Sequence, residues 1–169
     1  MRQNTGVLWF LAIAVAAVFV VRQALRREEA FAPLPLPPLM AAGWINTDSP
    51  PPAEELRGKL VVIDAWATWC GFCIEELPDL IEFKRQVGDE VVLIGLTPEG
   101  GSEAATVKDF VAERDGMTWP IGYGSAPTLD ALGVRGFPTF YLFGRDGMLI
   151  WQGHQVKPLE EQVIKALEM

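Results

Sequence analysis

The sequence predicts an α/β domain, a mixed central sheet flanked by helices, behind an N-terminal transmembrane helix. Two short apolar runs rich in β-branched residues, 60–66 and 91–96, are typical of buried strands. Between them lies a segment whose apolar residues recur at helical spacing, and a hairpin signal lies near the end of the chain. An uncharged run, 6–21, stands near the beginning. These three observations set the fold class.

The uncharged run GVLWFLAIAVAAVFVV (6–21) would span about 24 Å as a helix, slightly less than the hydrocarbon core of a bilayer requires. A cleaved signal peptide is the alternative, because Ala30-Phe31-Ala32 has the small-x-small form of a cleavage site. The charges within 22–29 separate that site from the apolar run, which disfavours cleavage. We therefore expect an uncleaved membrane anchor over residues 1–27.

A proline-rich stretch follows the predicted anchor. Residues 28–57 contain seven prolines, and such a segment is extended and semi-rigid. We expect it to be a linker that holds a single domain, 58–169, away from the bilayer. Twenty of the 22 acidic residues but only ten of the 14 basic residues follow position 32, so the domain is acidic and would repel nucleic acid.

The first half of the domain is a predicted strand, helix and strand. The helix is expected over 73–87, with a kink at Pro78 because proline cannot donate the helical hydrogen bond. Since the strands on either side of it, 60–66 and 91–96, are short and apolar, they should lie parallel, joined by a right-handed crossover.

Shorter elements fill the second half of the domain. A helix over 102–114 is expected to begin with Ser102 as its N-cap. Asp146-Gly147 is a hairpin turn signal between two strands. The remaining predicted elements are an extended segment at 117–123, a short helix at 127–132, strands at 139–143 and 148–152, and a terminal helix at 159–167.

The two cysteines of the chain, Cys70 and Cys73, are three positions apart, between a predicted strand and a predicted helix. Two cysteines cannot form a disulfide framework, and the single histidine, His154, is too distant in sequence for a local zinc site. Redox chemistry is what remains. The amino end of the helix stabilises a thiolate at Cys70, which would attack a substrate disulfide. Cys73, about one turn deeper, would resolve the mixed disulfide.

Two segments resemble the thioredoxins. Residues 64–73 (DAWATWCGFC) resemble their active-site segment, and residues 134–139 (VRGFPT) resemble the loop whose proline is cis and faces the cysteines. The pattern C-x-x-E-x-P that includes Glu76 resembles the TlpA, ResA and DsbE branch, which are exported, membrane-anchored thioredoxin-like proteins. The resemblance covers about 58–169. It implies a thioredoxin-like fold and a thiol–disulfide oxidoreductase with no cofactor beyond the disulfide Cys70–Cys73.

Two carboxylates are candidates for proton transfer. Asp64 stands where thioredoxins have a buried carboxylate; burial would raise its pKa and let it take the proton from Cys73. The alternative is a strand-end aspartate that meets water. The resemblance implies that Glu76 is a second carboxylate near the cysteines, but it could equally be an ordinary glutamate on the helix surface.

The resemblance also implies substrate contacts. Pro138 should follow a cis bond where an edge strand begins, and the exposed backbone beside it should pair with extended substrate. Phe72 stands where thioredoxins have proline, so their reduction potential does not transfer to this chain. Trp66 is expected in the core. The expected substrate-binding residues are Trp69, Gly71, Phe72, Phe137 and Pro138.

The leading functional hypothesis is reduction of protein disulfides outside the cytoplasmic membrane, with electrons from a membrane partner. The resemblance most often implies the haem-attachment cysteines of apocytochromes c as substrates. Because the sequence does not fix the direction of electron flow, an oxidant of nascent protein thiols is an alternative. A copper(I) metallochaperone of the same fold is another, but it would need a histidine near the sulfurs. We expect His154 to be a surface residue without a role.

Signals for the orientation in the membrane conflict. Arg22, Arg26 and Arg27 follow the apolar run whereas only Arg2 precedes it, which by the positive-inside rule would place the domain in the cytoplasm. The resemblance implies an exterior domain, and a chain with no cysteine outside its active site suits an oxidising compartment. We expect a single-pass protein of the inner membrane whose domain faces the periplasm or cell exterior.

Overall fold

The computed structural model describes residues 34–169. The predicted anchor, 1–27, lies outside the described residues. Within the described part of the chain, no helix is both long enough and apolar enough to cross a membrane.

Six strands form one mixed sheet in the order β1-β4-β3-β2-β5-β6. Their bounds are β1 Gly43–Ile45, β2 Leu60–Ala65, β3 Val91–Thr97, β4 Ile121–Tyr123, β5 Thr139–Phe143 and β6 Leu149–Gly153. β2, β3 and β4 run parallel to one another, whereas β1, β5 and β6 each pair antiparallel with their neighbours. This confirms the predicted mixed sheet with its parallel crossover.

Helices cover both faces of the sheet. They are α1 Ala53–Leu56, α2 Gly71–Gln86, α3 Ala104–Ala112, α4 Ala126–Ala131 and α5 Val156–Leu167. α2 begins two residues before the predicted start and continues through Pro78. Ser102 is not an N-cap, because it lies inside a 3₁₀ turn, Gly101–Glu103, that precedes α3.

All six residues of β2 are buried, because β2 has a strand on each side and helices on each face. Side chains alternate between the faces of a strand. Leu60 and Val62 therefore pack with α2, α3 and α5, whereas Val61 and Ile63 pack with α4 and the amino-terminal segment. The same alternation determines which face of the sheet each side chain near the end of β2 points to.

The segment expected to be a free linker is part of the domain. Pro35 forms a β-bridge with Met148, and β1 pairs with β4 at the opposite edge of the sheet. Leu34, Leu36 and Leu39 pack against the core between these two points. The prolines do not prevent docking, because non-proline residues supply the donors. The Leu36 N–H, for example, donates to the Gly147 carbonyl at 2.9 Å.

Candidate active site

The cysteine pair lies where β2 ends and α2 begins. Cys70 is the N-cap of α2, and its Sγ accepts a hydrogen bond from the Cys73 N–H at 3.1 Å. The two sulfurs form a disulfide, with the Cα atoms 5.2 Å apart. The free N–H groups and the dipole of a helix amino end favour negative charge, so this position would stabilise a thiolate at Cys70 after reduction.

The sequence predicted that Cys73 would lie deeper than Cys70, but the structure shows the reverse. In this oxidised form Cys70 is 5% exposed, whereas Cys73 is half-buried. Cys73 nevertheless lines an internal cavity together with Asp64, Glu76 and Pro138. Cys73 and the buried carboxylate of Asp64 thus line the same cavity, although Cys73 is not the more deeply covered of the two cysteines.

Asp64 is buried near the carboxyl end of β2, with 4% of its surface exposed. The strand alternation places it on the same face as Leu60 and Val62, towards α2. Burial raises the pKa of Asp64 from its ordinary value of 3.8 to about 7. The cavity it shares with Cys73 measures about 10 Å³, close to the smallest space that holds a water molecule.

Three aromatic side chains surround the entrance to the disulfide. Trp69 is 66% exposed and Phe72 is 71% exposed. Phe137 is half-buried and meets Trp69 edge-on, with the ring centroids 5.7 Å apart. Gly71 is exposed, and no atom lies within 4 Å of where a side chain would begin. Trp66, by contrast, lies in the core as predicted.

The proline loop faces the cysteine helix across a groove. The Phe137–Pro138 peptide bond is cis, and β5 begins at the next residue. The expectation of an edge strand is wrong, because β5 lies between β2 and β6. A groove of about 400 Å³ separates Phe72 and Glu75 from Phe137 and Pro138.

Glu76 contacts the end of another helix. Its Oε2 accepts a hydrogen bond from the Val156 N–H at 2.7 Å. Val156 is the first residue of α5, whose own N-cap residue, Gln155, makes no side-chain capping bond. Glu76 therefore supplies the missing cap and ties α2 to α5. Glu76 is half-buried and also lines the cavity beside Cys73, which favours a second carboxylate near the cysteines over an ordinary glutamate on the helix surface.

His154 is exposed, as predicted, but it lies beside the proline loop. Its Nδ1 is 2.8 Å from the carbonyl oxygen of Pro138, so that nitrogen donates the hydrogen bond. The same nitrogen is 3.3 Å from Oγ1 of Thr139. β5 and β6 pair Phe140 with Gly153, and this register brings His154 back to the proline loop. The register of the predicted hairpin could therefore have indicated the position of His154.

Glu99 also lies near the active site, and the sequence interpretation missed it. It is only 4% exposed, and its carboxylate accepts hydrogen bonds from the N–H and hydroxyl of Thr68, two residues before Cys70. The carboxyl ends of parallel strands meet at one edge of a sheet, so a residue that follows β3 comes close to the end of β2. This position was a weak signal that Glu99 lies near Cys70. Nothing in Pro98-Glu99-Gly100 indicates burial.

In the described part of the chain, other side chains that could bind a metal do not gather around the cysteines. Within residues 34–169, no three side chains of histidine, cysteine, aspartate or glutamate lie together in a way that could hold a metal ion. The Nδ1 of His154 faces the Pro138 carbonyl instead.

Comparison with known sequences gives a family match and several relatives. The sequence model of the Redoxin family matches residues 50–167. The thiol-disulfide oxidoreductase ResA of Bacillus thuringiensis (strain Al Hakam) is 28% identical over 120 residues, which cover 68% of this chain and 66% of ResA. The thioredoxin-like protein YneN of Bacillus subtilis is 22% identical over 96 residues, 57% of this chain and 56% of YneN. The chain thus spans less than two thirds of these relatives.

Solved structures share the architecture. A thioredoxin-like protein in the oxidised form matches with a TM-score of 0.69 and 26% identity, covering 80% of this chain and 96% of that one. A thiol-disulfide isomerase from Corynebacterium glutamicum matches with a TM-score of 0.69 and 24% identity, covering 80% and 97%. The fold of residues 34–169 is therefore thioredoxin-like.

Proposed function

This chain belongs to the Redoxin family, and we propose that it is a thiol–disulfide oxidoreductase that works through Cys70 and Cys73. The observation that carries the proposal is the disulfide at the amino end of α2, with a buried carboxylate near it and a groove between α2 and the proline loop. The name of ResA, a thiol-disulfide oxidoreductase, supports the same reaction class.

Turnover in the reducing direction starts from the dithiol form. The Cys70 thiolate attacks one sulfur of a substrate disulfide, forms a mixed disulfide, and expels the other substrate sulfur as a thiolate. Cys73 loses its proton and attacks the Cys70 sulfur. The second substrate sulfur leaves, the Cys70–Cys73 disulfide forms, and two electrons have passed to the substrate. A donor dithiol must then supply two electrons and two protons to restore the enzyme.

Asp64 is the proposed acceptor of the Cys73 proton. Its pKa of about 7 lies close to the working pH, which suits a group that takes and returns a proton. A water molecule in the small cavity beside Asp64 and Cys73 would carry the proton between them.

The substrate is proposed to enter the groove as an extended segment. Trp69, Gly71 and Phe72 would contact it on the cysteine side, and Phe137 and Pro138 on the other. Exposed aromatic rings beside the disulfide offer apolar contact area, and backbone beside the proline offers hydrogen bonds to an extended chain. Protein thiols and disulfides are therefore the proposed substrates.

Variants of the two cysteines test the reaction. Cys70→Ser should abolish insulin-disulfide reduction, because the attacking thiolate is lost. Cys73→Ser should instead accumulate mixed disulfides that appear as slower bands on non-reducing gels. Full reductase activity in either variant would contradict the proposal.

The proposed location is the inner membrane, with the domain on the periplasmic or exterior side. The uncharged run 6–21 supports an anchor, whereas the arginines after it favour the opposite orientation. Labelling of the reduced cysteines with a membrane-impermeant maleimide distinguishes the two. We expect labelling in intact spheroplasts. Labelling only after lysis would place the domain in the cytoplasm.

The proposed direction is reduction, fed by a membrane electron donor, with haem-attachment cysteines of apocytochromes c as the substrate class. Equilibration of the full-length protein in glutathione or dithiothreitol buffers gives the reduction potential that decides the direction. A value near or below about −250 mV would mark a reductant. A value above about −150 mV would mark an oxidant of nascent thiols and would overturn the proposed direction.

A further inference from the structure

We propose that Glu99 is a positioning residue that holds the turn before Cys70 in the shape in which Cys70 and Trp69 meet a protein substrate. The role of the turn in meeting a substrate rests on the proposed function. The contacts that hold the turn do not depend on it.

The Glu99 carboxylate is fully engaged by donors. It accepts from the Thr68 N–H at 2.7 Å, from the Thr68 hydroxyl, and from the Thr97 hydroxyl at 2.9 Å. Among residues 34–169, no lysine, arginine or histidine forms a salt bridge with it. A buried carboxylate without a cation is costly unless hydrogen bonds replace its water. These three bonds do so, and two of them come from Thr68.

Glu99 is itself held in place. It lies two residues beyond Thr97, where β3 ends, and its carbonyl oxygen accepts from the Gly124 N–H at 2.6 Å. Thr97, the last residue of β3, is fully buried and bonds to the same carboxylate. The side chain therefore extends from the rigid sheet to the active-site turn.

Hydrogen bonds hold the start, middle and end of the turn between β2 and α2. At its start, the Trp66 N–H donates to the Leu96 carbonyl at 3.0 Å, and at its end the Cys70 N–H donates to the Ala67 carbonyl at 3.1 Å. Thr68 lies between them, and its amide is held by Glu99. The next residue is the exposed Trp69. Among residues 34–169, only the bonds from Thr68 to Glu99 connect the middle of the turn by hydrogen bonding to the end of β3.

A positioning role predicts different effects on large and small reaction partners. A protein disulfide must meet Cys70 and Trp69 in one orientation, whereas a small alkylating agent needs only an accessible thiolate. In Glu99→Gln, we expect kcat/KM for insulin-disulfide reduction to fall about tenfold, the size typical of one lost charge-assisted hydrogen bond. The maximal rate of Cys70 alkylation by iodoacetamide, taken from its pH profile, should stay within about twofold.

Amide hydrogen exchange reports on the turn directly. At Thr68 and Trp69 of the reduced full-length protein, exchange should accelerate about tenfold or more in Glu99→Gln. Thr68→Ser is the matched control, because serine keeps both donors to Glu99, and it should resemble the wild type in all three measurements. Thr68→Val removes only the hydroxyl contact and provides a milder second variant if Glu99→Gln does not fold.

The outcomes separate the alternatives. The proposal is overturned if Glu99→Gln, or Thr68→Val in its place, unfolds at a lower temperature while insulin reduction and exchange at Thr68 stay at wild-type values. It is also overturned if alkylation falls as much as insulin reduction, since Glu99 would then act on thiolate reactivity. If the wild type reduces no insulin, the proposed function fails, while the exchange data still decide whether Glu99 holds the turn.

Discussion

At the scale of single residues, Asp64 is a buried acidic side chain that shares a cavity with Cys73. It is buried beneath the site, and burial alone raises its pKa to about 7. A group that binds its proton more tightly in the folded state than in the unfolded state makes stability depend on pH.

The sign of that dependence follows from the two pKa values. Between about 3.8, the ordinary value, and about 7, the folded protein holds a proton that the unfolded chain has lost. The free energy of unfolding should therefore fall as the pH rises through this window, by roughly 4 kcal/mol, and level off above it. Urea unfolding of the oxidised protein at about pH 4 and about pH 8 measures the fall. In Asp64→Asn the fall should be smaller by about that amount, and an unchanged pH dependence there would contradict the assignment.

Asp64→Asn should also slow the second half of turnover. Without the carboxylate, the Cys73 proton must pass to solvent, so resolution of the mixed disulfide should slow by about a hundredfold near neutral pH. The defect should shrink as the pH approaches the ordinary pKa of a thiol. Quenched-flow measurement of mixed-disulfide decay tests this. Equal decay rates in variant and wild type at neutral pH would remove Asp64 from the mechanism.

His154→Ala should loosen the proline loop. The variant loses the hydrogen bond to the Pro138 carbonyl, a bond that typically contributes about 1 kcal/mol to stability. We expect kcat/KM for insulin reduction to fall severalfold, with the free energy of unfolding lowered by about 1 kcal/mol. Lys157→Ala is the control, since Lys157 is exposed and does not line the groove. If both substitutions lowered kcat/KM equally, the result would argue against a specific role of His154.

Predictability from sequence differs among these residues for a physical reason. Cys70, Cys73 and Asp64 stand at fixed spacing around one strand end, so the local sequence alone indicates their proximity. Glu99 and His154 reach the site from other elements. Their proximity depends on the pairing of β3 with β2 and of β6 with β5, which local spacing does not record.

At the scale of elements, the contact between α2 and α5 gives Glu76 a role that can be measured. Glu76→Ala should lower the free energy of unfolding by about 1 kcal/mol, the usual effect of a lost cap. Glu76→Gln keeps an acceptor for the Val156 N–H and should recover most of that loss. Chemical denaturation of the three proteins tests this. No loss in the alanine variant would mean that the cap adds nothing.

The glutamine variant also decides whether Glu76 only caps α5 or transfers protons as well. An amide can cap a helix but cannot accept a proton from a thiol. If Glu76→Gln is stable and fully active, Glu76 serves only as a cap. If it is stable but slow in resolution, Glu76 transfers protons as well.

The long elements could be predicted because each has a strong local signal. Strands β2, β3 and β5 are apolar runs rich in β-branched or aromatic residues, and α2 has helical periodicity. The short elements β1 and α1 have three and four residues, too few for a period to show. Their positions are set by tertiary contacts, and the prolines around them favoured a linker instead.

At the scale of the whole molecule, the predicted domain boundary at residue 58 can be tested by truncation. A fragment 58–169 lacks β1 and the half-buried leucines Leu34, Leu36 and Leu39, which cover one face of the sheet. We expect it to be less stable than a fragment 34–169 by several kcal/mol, since each partly buried leucine contributes about 1 kcal/mol or more. Thermal unfolding of both fragments measures the difference, and equal midpoints would restore the predicted boundary.

The segment around Leu34 and the disulfide lie at opposite ends of the sheet. The Leu34 carbonyl accepts from the Leu149 N–H at the start of β6, at the same end of the sheet as Leu60, whereas Cys70 follows the other end of β2. About 20 Å of sheet, the length of six extended residues, separates the two ends. A label or tether attached at Leu34 would therefore leave the groove beside the disulfide free.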